Sequence, residues 1–320
     1  MSSQARNSDP TSTVDPYDFL QITANPDGTI GRNPNRFPNT SPTTDHPTVF
    51  SKDISVNKST ETWARIFLPR KALDNHSKLP VIIYFHGGGF INCSAASTVF
   101  HVFCSNMAME LFSIVVSINY RLAPENRLPA AYDDAIDAFH WIKATDENWL
   151  LDYADFGQCF VMGTSSGANI AYHASQQYLN SQVNDSNALE IKGLILNQPF
   201  FSGVLRTDSE LRLINDAVLP LCVADLMWEL SLPRGVDRDH EYCNPTVGLE
   251  KIGKLKWKVL LTGWDGDPII DRQVELANAM KCRGVQVVEH FGKGNYHAVE
   301  IKEPSKANAL YLIIKDFCCR

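Results

Sequence analysis

Phe156-Gly-Gln-Cys-Phe-Val-Met-Gly-Thr-Ser-Ser-Gly-Ala168 is the stretch on which the fold turns. Its first half reads as a buried strand running to Gly163. From Ala168 onward the period changes, and Ala168, Ala171, Ala174 and Tyr178 fall on one helix face. Between them lies Gly163-Thr-Ser-Ser-Gly167, a G-x-S-x-G pattern. A serine at the centre of so sharp a turn has crowded dihedrals, and small residues on either side let the chain pass without clash. The helix that follows points its unpaired N–H groups back at the serine. The pattern alone is common by chance. Its strand-to-helix setting makes Ser165 a candidate nucleophile.

Outward from this turn the chain alternates. Thr62–Phe67, Pro80–His86, Ser113–Tyr120, Ile191–Asn197, Trp257–Gly263 and Val285–Phe291 are short, β-branched, nearly continuous apolar runs. Strands covered on both faces have this composition. Helical periods separate them, as in Ala135/Ala138/Phe139/Ile142, Val274/Ala277/Met280 and Ala307/Leu310/Ile314/Phe317. Such alternation predicts an α/β fold with a mostly parallel central sheet flanked by helices. Residues 1–57 are rich in Pro, Ser, Thr, Asn and Asp, with a short helix expected near Pro16–Ile22. They read either as a tail or as a lid, and the apolar content of Pro16-Tyr-Asp-Phe-Leu20 favours the lid. The apolar segment Leu205–Gly235 interrupts the alternation as a helical insertion. In an open α/β sheet it would land at the carboxyl ends of the strands, where ligands bind.

Two further stretches carry chemistry. His86-Gly-Gly-Gly-Phe90 follows a buried strand directly. Acyl transfer needs N–H donors close to a developing oxyanion, and side chains there would obstruct them. Gly88 and Gly89 are therefore expected to donate, with Ser166 as a third donor, and His86 and Gly87 to support the loop. Of the nine histidines, His297 alone follows the last strand in a glycine-bearing loop ahead of the C-terminal helix. From there it can swing over the carboxyl edge of the sheet as a general base. The acid is sought after the strand Trp257–Gly263, among Asp265, Asp267 and Asp271. Asp267 precedes Pro268, which holds it extended. Asp271 reads as the start or cap of the next helix. The order Ser165, Asp267, His297 is that of α/β-hydrolases.

Taken together, His86-Gly-Gly-Gly-Phe90, Tyr120-Arg-Leu-Ala-Pro-Glu125, Leu128-Pro-Ala-Ala-Tyr132, Gly163-x-Ser-x-Gly167, Gly266-Asp-Pro268 and Tyr296-His297 resemble the plant carboxylesterases of the hormone-sensitive-lipase-like branch of the α/β-hydrolases. The resemblance runs from about Asp15 to the end. It implies one α/β-hydrolase domain over 1–320, with a cap built from the N-terminal segment and the 205–235 insertion. It implies hydrolysis of short-chain acyl esters of small plant metabolites, with the acid on the Asp of Gly-Asp-Pro. The chain departs from the family at Thr164, where Asp is usual, and at Ala168 and Asn295, where Gly is frequent. Thr164 is expected to face away from the reacting carbonyl. Two relatives offer alternatives: hormone-receptor-like binding without the catalytic histidine, which His297 argues against, and elimination with Thr in place of the nucleophile, which Ser165 argues against. Acyl transfer to an acceptor other than water stays open. Phe90, Ile91, Phe200, Phe201, Leu219 and Trp228 are the apolar residues expected to line the pocket.

The bulk properties exclude several other classes. The 320 residues carry a net charge of -7 with no Lys/Arg cluster, which disfavours nucleic acid. No apolar run approaches the length of a membrane span, and the N-terminal residues lack the apolar core of a secretory leader. The eight cysteines show no C-x-x-C pair or other metal spacing, so neither metal nor cofactor is expected. A reduced, cytoplasmic protein acting on a small-molecule ester is the reading, with the oligomeric state open.

Overall fold

The computed structural model describes residues 13–75, 77–181, 189–247 and 257–319. Ten strands occur among them: β1 (Ile22–Ala24), β2 (Ile30–Arg32), β3 (Val49–Asn57), β4 (Thr62–Pro69), β5 (Leu79–Phe85), β6 (Ile114–Asn119), β7 (Ala154–Thr164), β8 (Ile191–Asn197), β9 (Lys258–Trp264) and β10 (Val287–Gly292). β1 and β2 form a small antiparallel pair. The other eight form one sheet in the order β10-β9-β8-β7-β5-β6-β4-β3. β5 to β10 run parallel, whereas β4 is antiparallel to both β6 and β3.

The sheet is apolar on both faces because its strands alternate into two cores. In β5, Val81, Ile83 and Phe85 enter one core while Ile82 and Tyr84 enter the other. The helices Ala130–Ala144, Ser166–Ser181 and Ile270–Lys281 supply the first core. The helices Thr98–Leu111 and Pro304–Cys319 cover the second, joined by the Tyr311 hydroxyl donating to the Phe103 carbonyl at 2.9 Å.

β5 lies between β6 and β7, so the strand order reverses at β5. Outside the carboxyl ends of strands at such a reversal, the loops diverge and leave a crevice. The His86 loop leaves β5 and the Ser165 turn leaves β7, so both open on this crevice.

The strands expected from the sequence are present, with ends displaced by no more than two residues. One expectation is corrected. Residues 1–57 do not all belong to a tail or lid, because Val49–Asn57 is the edge strand β3, paired with β4. Its cover fades along the strand, from buried Val49 and Ser51 to exposed Asp53 and Ser55 on the same face, while the other face is half-buried. Its Ser, Lys, Asp and Asn residues therefore resemble loop composition. Residues 1–12 lie outside the described residues. The expected helix is present at Pro16–Leu20, capped by Asp15, and it packs on the helix Leu221–Ser231 of the 205–235 insertion.

Candidate active site

Ser165 sits between β7 and the helix Ser166–Ser181 with φ +55°, in the left-handed region that non-glycine residues avoid. The backbone is held there from both sides. The Ser165 N–H donates to the Asn197 carbonyl at 3.0 Å, and the Ser165 carbonyl accepts from the Phe200 N–H at 3.0 Å. The flanking glycines are required by contact. A Cβ at Gly163 would meet the Gly167 carbonyl oxygen at 2.0 Å, and one at Gly167 would meet the Phe85 carbonyl oxygen at 2.0 Å. The Thr164 hydroxyl accepts from the Tyr84 hydroxyl at 3.0 Å, so it is engaged within the sheet.

His297 reaches this serine from the loop after β10. Its Nε2 lies 2.9 Å from Ser165 Oγ and its Nδ1 lies 2.8 Å from Asp267 Oδ2. Asp267 is fully buried, and its two oxygens accept from the Gln273 amide at 2.8 Å and from the Ile269 N–H at 3.1 Å. The other aspartates serve elsewhere. Asp265 accepts from the Gly294 N–H at 2.7 Å. Asp271 lies in the first turn of the helix Ile270–Lys281, as expected of a helix start, but does not cap it; it accepts from the Ser209 N–H at 2.8 Å, tying residues 205–235 to this helix. A Cβ at Gly266 would meet the Asn295 carbonyl oxygen at 2.4 Å, so this glycine lets the histidine loop cross close above.

Burial works to lower the pKa of His297. The negative charge and hydrogen bond of Asp267, helped by Asp216 and Glu300, outweigh it and raise the pKa above the ordinary imidazole value. His86 behaves differently. Burial depresses its pKa to about 4, so it is neutral, stacked at 4.3 Å on Tyr120. The Tyr120 hydroxyl donates to the His86 carbonyl at 2.8 Å, which steadies the glycine loop from below.

That loop turns at Gly88 (φ +118°), Gly89 (φ +63°) and Phe90 (φ +65°). A Cβ on Gly87 would lie 3.3 Å from the Ser165 Cβ, so loop and serine are in contact. Among the described residues, no acceptor takes the N–H groups of Gly88, Gly89 or Ser166. Arg32, from β2, holds the loop's far side. Its guanidinium donates to the Ile91 carbonyl at 2.6 Å and the Ala123 carbonyl at 2.7 Å, and pairs with Glu125 at 2.6 Å.

The helix Leu221–Ser231 lies over the loop. Met227 is so close that a Cβ on Gly89 would collide with its sulfur. Phe90 stands 5.3 Å from Trp228, and Phe200 stacks on Trp228 at 4.9 Å. Ile91 and Leu219 are buried in the same core. Phe201 does not join this wall; its ring packs on Tyr172 and His173. The apolar pair Phe200-Phe201 carries no mark of which one meets Trp228. Gln198 and Gln273 escaped the sequence reading, and Met227 was read only as one of the apolar residues of the Leu205–Gly235 insertion. Only Gln273 left a signal, as a polar residue one turn before Leu276 and Ala277 on a buried helix face.

A serine at a strand-to-helix turn, linked through an imidazole to a buried carboxylate at the carboxyl edge of a parallel sheet, is the arrangement of an α/β-hydrolase with a serine nucleophile. The family model described as alpha/beta hydrolase fold matches residues 82–301. Carboxylesterase 20 of Arabidopsis thaliana is 51% identical over 97% of this chain and 98% of its own length. A 3-O-acetylpapaveroxine carboxylesterase of Papaver somniferum is 44% identical over 95% of this chain and 99% of its own. An esterase from the archaeon Pyrobaculum calidifontis superposes with a TM-score of 0.72 at 24% identity over 86% of each chain, a likeness of fold. The chain belongs to the α/β-hydrolase family and, within it, to the plant carboxylesterases. Among the described residues, no helix is long and apolar enough to cross a membrane.

Proposed function

We propose that this carboxylesterase works by two-step acyl transfer through Ser165, His297 and Asp267. The carrying observation is that one imidazole is hydrogen-bonded to both Ser165 and Asp267, at 2.9 and 2.8 Å. His297 Nε2 takes the proton as Ser165 Oγ attacks the ester carbonyl carbon. The free N–H groups of Gly88, Gly89 and Ser166 receive the oxyanion. His297 then passes the proton to the departing alcohol as the C–O bond breaks, leaving an acyl-serine. Water, deprotonated by His297, attacks the acyl carbon and releases the acid and Ser165. Asp267 holds the tautomer and balances the imidazolium charge throughout.

The acyl group is short, because Met227 closes on Gly89 and the wall of Phe90, Phe200 and Trp228 stands beside it. The poppy relative, named for an O-acetyl compound, supports a small plant metabolite ester as substrate. The helix Pro16–Leu20 and the 205–235 insertion serve as the cap of a single hydrolase domain. Eight cysteines outside any disulfide fit a reducing, cytoplasmic setting.

The test is turnover of p-nitrophenyl acetate, butyrate and octanoate by the wild type and by Ser165→Ala. The variant is expected to fold normally and to lose about 10⁴-fold or more in kcat. Wild-type turnover by Ser165→Ala, in a preparation free of other esterases, would remove Ser165 from the mechanism.

A further inference from the structure

We infer that Gln198 is a positioning residue that sets the His297 imidazole against Ser165. Its side chain is fully buried, immediately beyond β8. One planar amide grips both peptide groups that flank His297. The Gln198 Nε2 donates to the Tyr296 carbonyl at 3.3 Å, and the Gln198 Oε1 accepts from the Ala298 N–H. The histidine is thus held on either side of its own Cα, where a shift of the main chain would carry the ring with it.

The placement of Gln198 gives this grip its consequence. The residue before it, Asn197, accepts the Ser165 N–H, and Phe200 donates to the Ser165 carbonyl. The segment 197–200 therefore binds the serine through main chain and the histidine through the Gln198 side chain. The 2.9 Å separation of Ser165 Oγ and His297 Nε2 is set across this one segment. Gln198 has φ +47°, a left-handed conformation that favours glycine. Strain at such positions persists where surrounding contacts over-determine it, and the Gln198 N–H is anchored on the Thr262 carbonyl at 3.0 Å. The loop it holds needs an anchor, since Lys293 and Gly294 are exposed and Ala298 is itself left-handed at φ +57°.

The inference rests on the reading of His297 as the base for Ser165. Gln198→Met keeps length and volume but neither hydrogen bond. Gln198→Gly relieves the backbone and lets water into the vacated space. Each should lower kcat for p-nitrophenyl acetate by about 10–100-fold, the usual effect of losing a group that orients a reacting one. KM should not change, because no contact with substrate is lost. The downfield proton resonance of His297 Nδ1–H in the hydrogen bond to Asp267 should broaden or vanish, which general destabilisation short of unfolding would not cause. Gln198→Glu keeps the acceptor for Ala298 but sets an oxygen against the Tyr296 carbonyl, and should be impaired as well. Urea denaturation confirms that each variant is folded. His297→Ala runs beside them. If it is inactive while folded Gln198→Met or Gln198→Gly keeps wild-type kcat and resonance, the role of Gln198 is overturned and the triad stands. If His297→Ala retains wild-type turnover, the triad reading itself is wrong and the role of Gln198 falls with it.

Discussion

His297 is pulled two ways, and the balance fixes how the enzyme should respond to pH. Burial favours the neutral ring, whereas Asp267 favours the charged one and prevails with the help of Asp216 and Glu300. A base must be neutral to accept the Ser165 proton. Activity should therefore fall as pH drops through a midpoint above the ordinary imidazole value. Asp267→Asn removes the main upward influence and leaves burial in place. Its kcat/KM profile should show the acid midpoint displaced to lower pH, with kcat reduced by about 10⁴-fold as the wrong tautomer is held. An unchanged midpoint in that variant would mean that Asp267 does not set the charge on His297. At this scale the sequence was informative about type and order. Ser165, Asp267 and His297 were each legible from the strand or loop they follow. The choice of Asp267 over Asp265 and Asp271 drew on Pro268 and on resemblance, because all three aspartates fall within the seven residues that follow β9. Gln198 could not be read, since a glutamine after a strand has no pattern that separates it from any surface glutamine.

The turn between β7 and the helix Ser166–Ser181 is the element on which the site depends. Its glycines are packed backbone against backbone, and no flexible side chain is available to yield. Gly167→Ala would place a methyl 2.0 Å from the Phe85 carbonyl oxygen. It is expected to cost about 3 kcal/mol or more, the upper range for overpacking a core. Gly157→Ala, near the start of the same strand, meets only the Asp155 side chain at 3.2 Å and should cost far less. Urea midpoints of the two variants provide the comparison, and equal losses would contradict the contact argument. The strands were legible because burial on both faces leaves nearly continuous apolar runs. β3 was not, because its cover fades toward its far end and half-buried Lys52 with exposed Asp53 and Ser55 breaks the apolar run. A strand at the edge of a sheet makes its case through pairing, and pairing is a property of the partner as well.

Across the whole molecule, segments distant in sequence meet over the His86 loop. Arg32 ties β2 to Ile91, Ala123 and Glu125, and the helix Leu221–Ser231 brings Met227 onto Gly89. Under the proposed short-acyl reading, Met227 blocks an acyl chain longer than a few carbons. Met227→Ala should raise kcat/KM for p-nitrophenyl octanoate relative to acetate by about 10-fold, the selectivity expected of an apolar wall moved by a few methylenes. The ratio is measured on one preparation, so expression and folding cancel. An unchanged ratio would place the acyl group elsewhere.

The sequence by itself determined the layer architecture, the strand-turn-serine-helix element, the glycine loop and the order Ser165, Asp267, His297. Each of these depends on period, on glycine's freedom or on a residue's place along its own element, and such properties are local. Tertiary structure alone decided that Phe200 rather than Phe201 faces Trp228, that Met227 meets Gly89, that Asp271 holds Ser209, and that Gln198 bonds the main chain on both sides of His297. Those outcomes depend on which element crosses which at the reversal of strand order. That crossing is set by the packing of all the layers at once, and no window of the chain contains it.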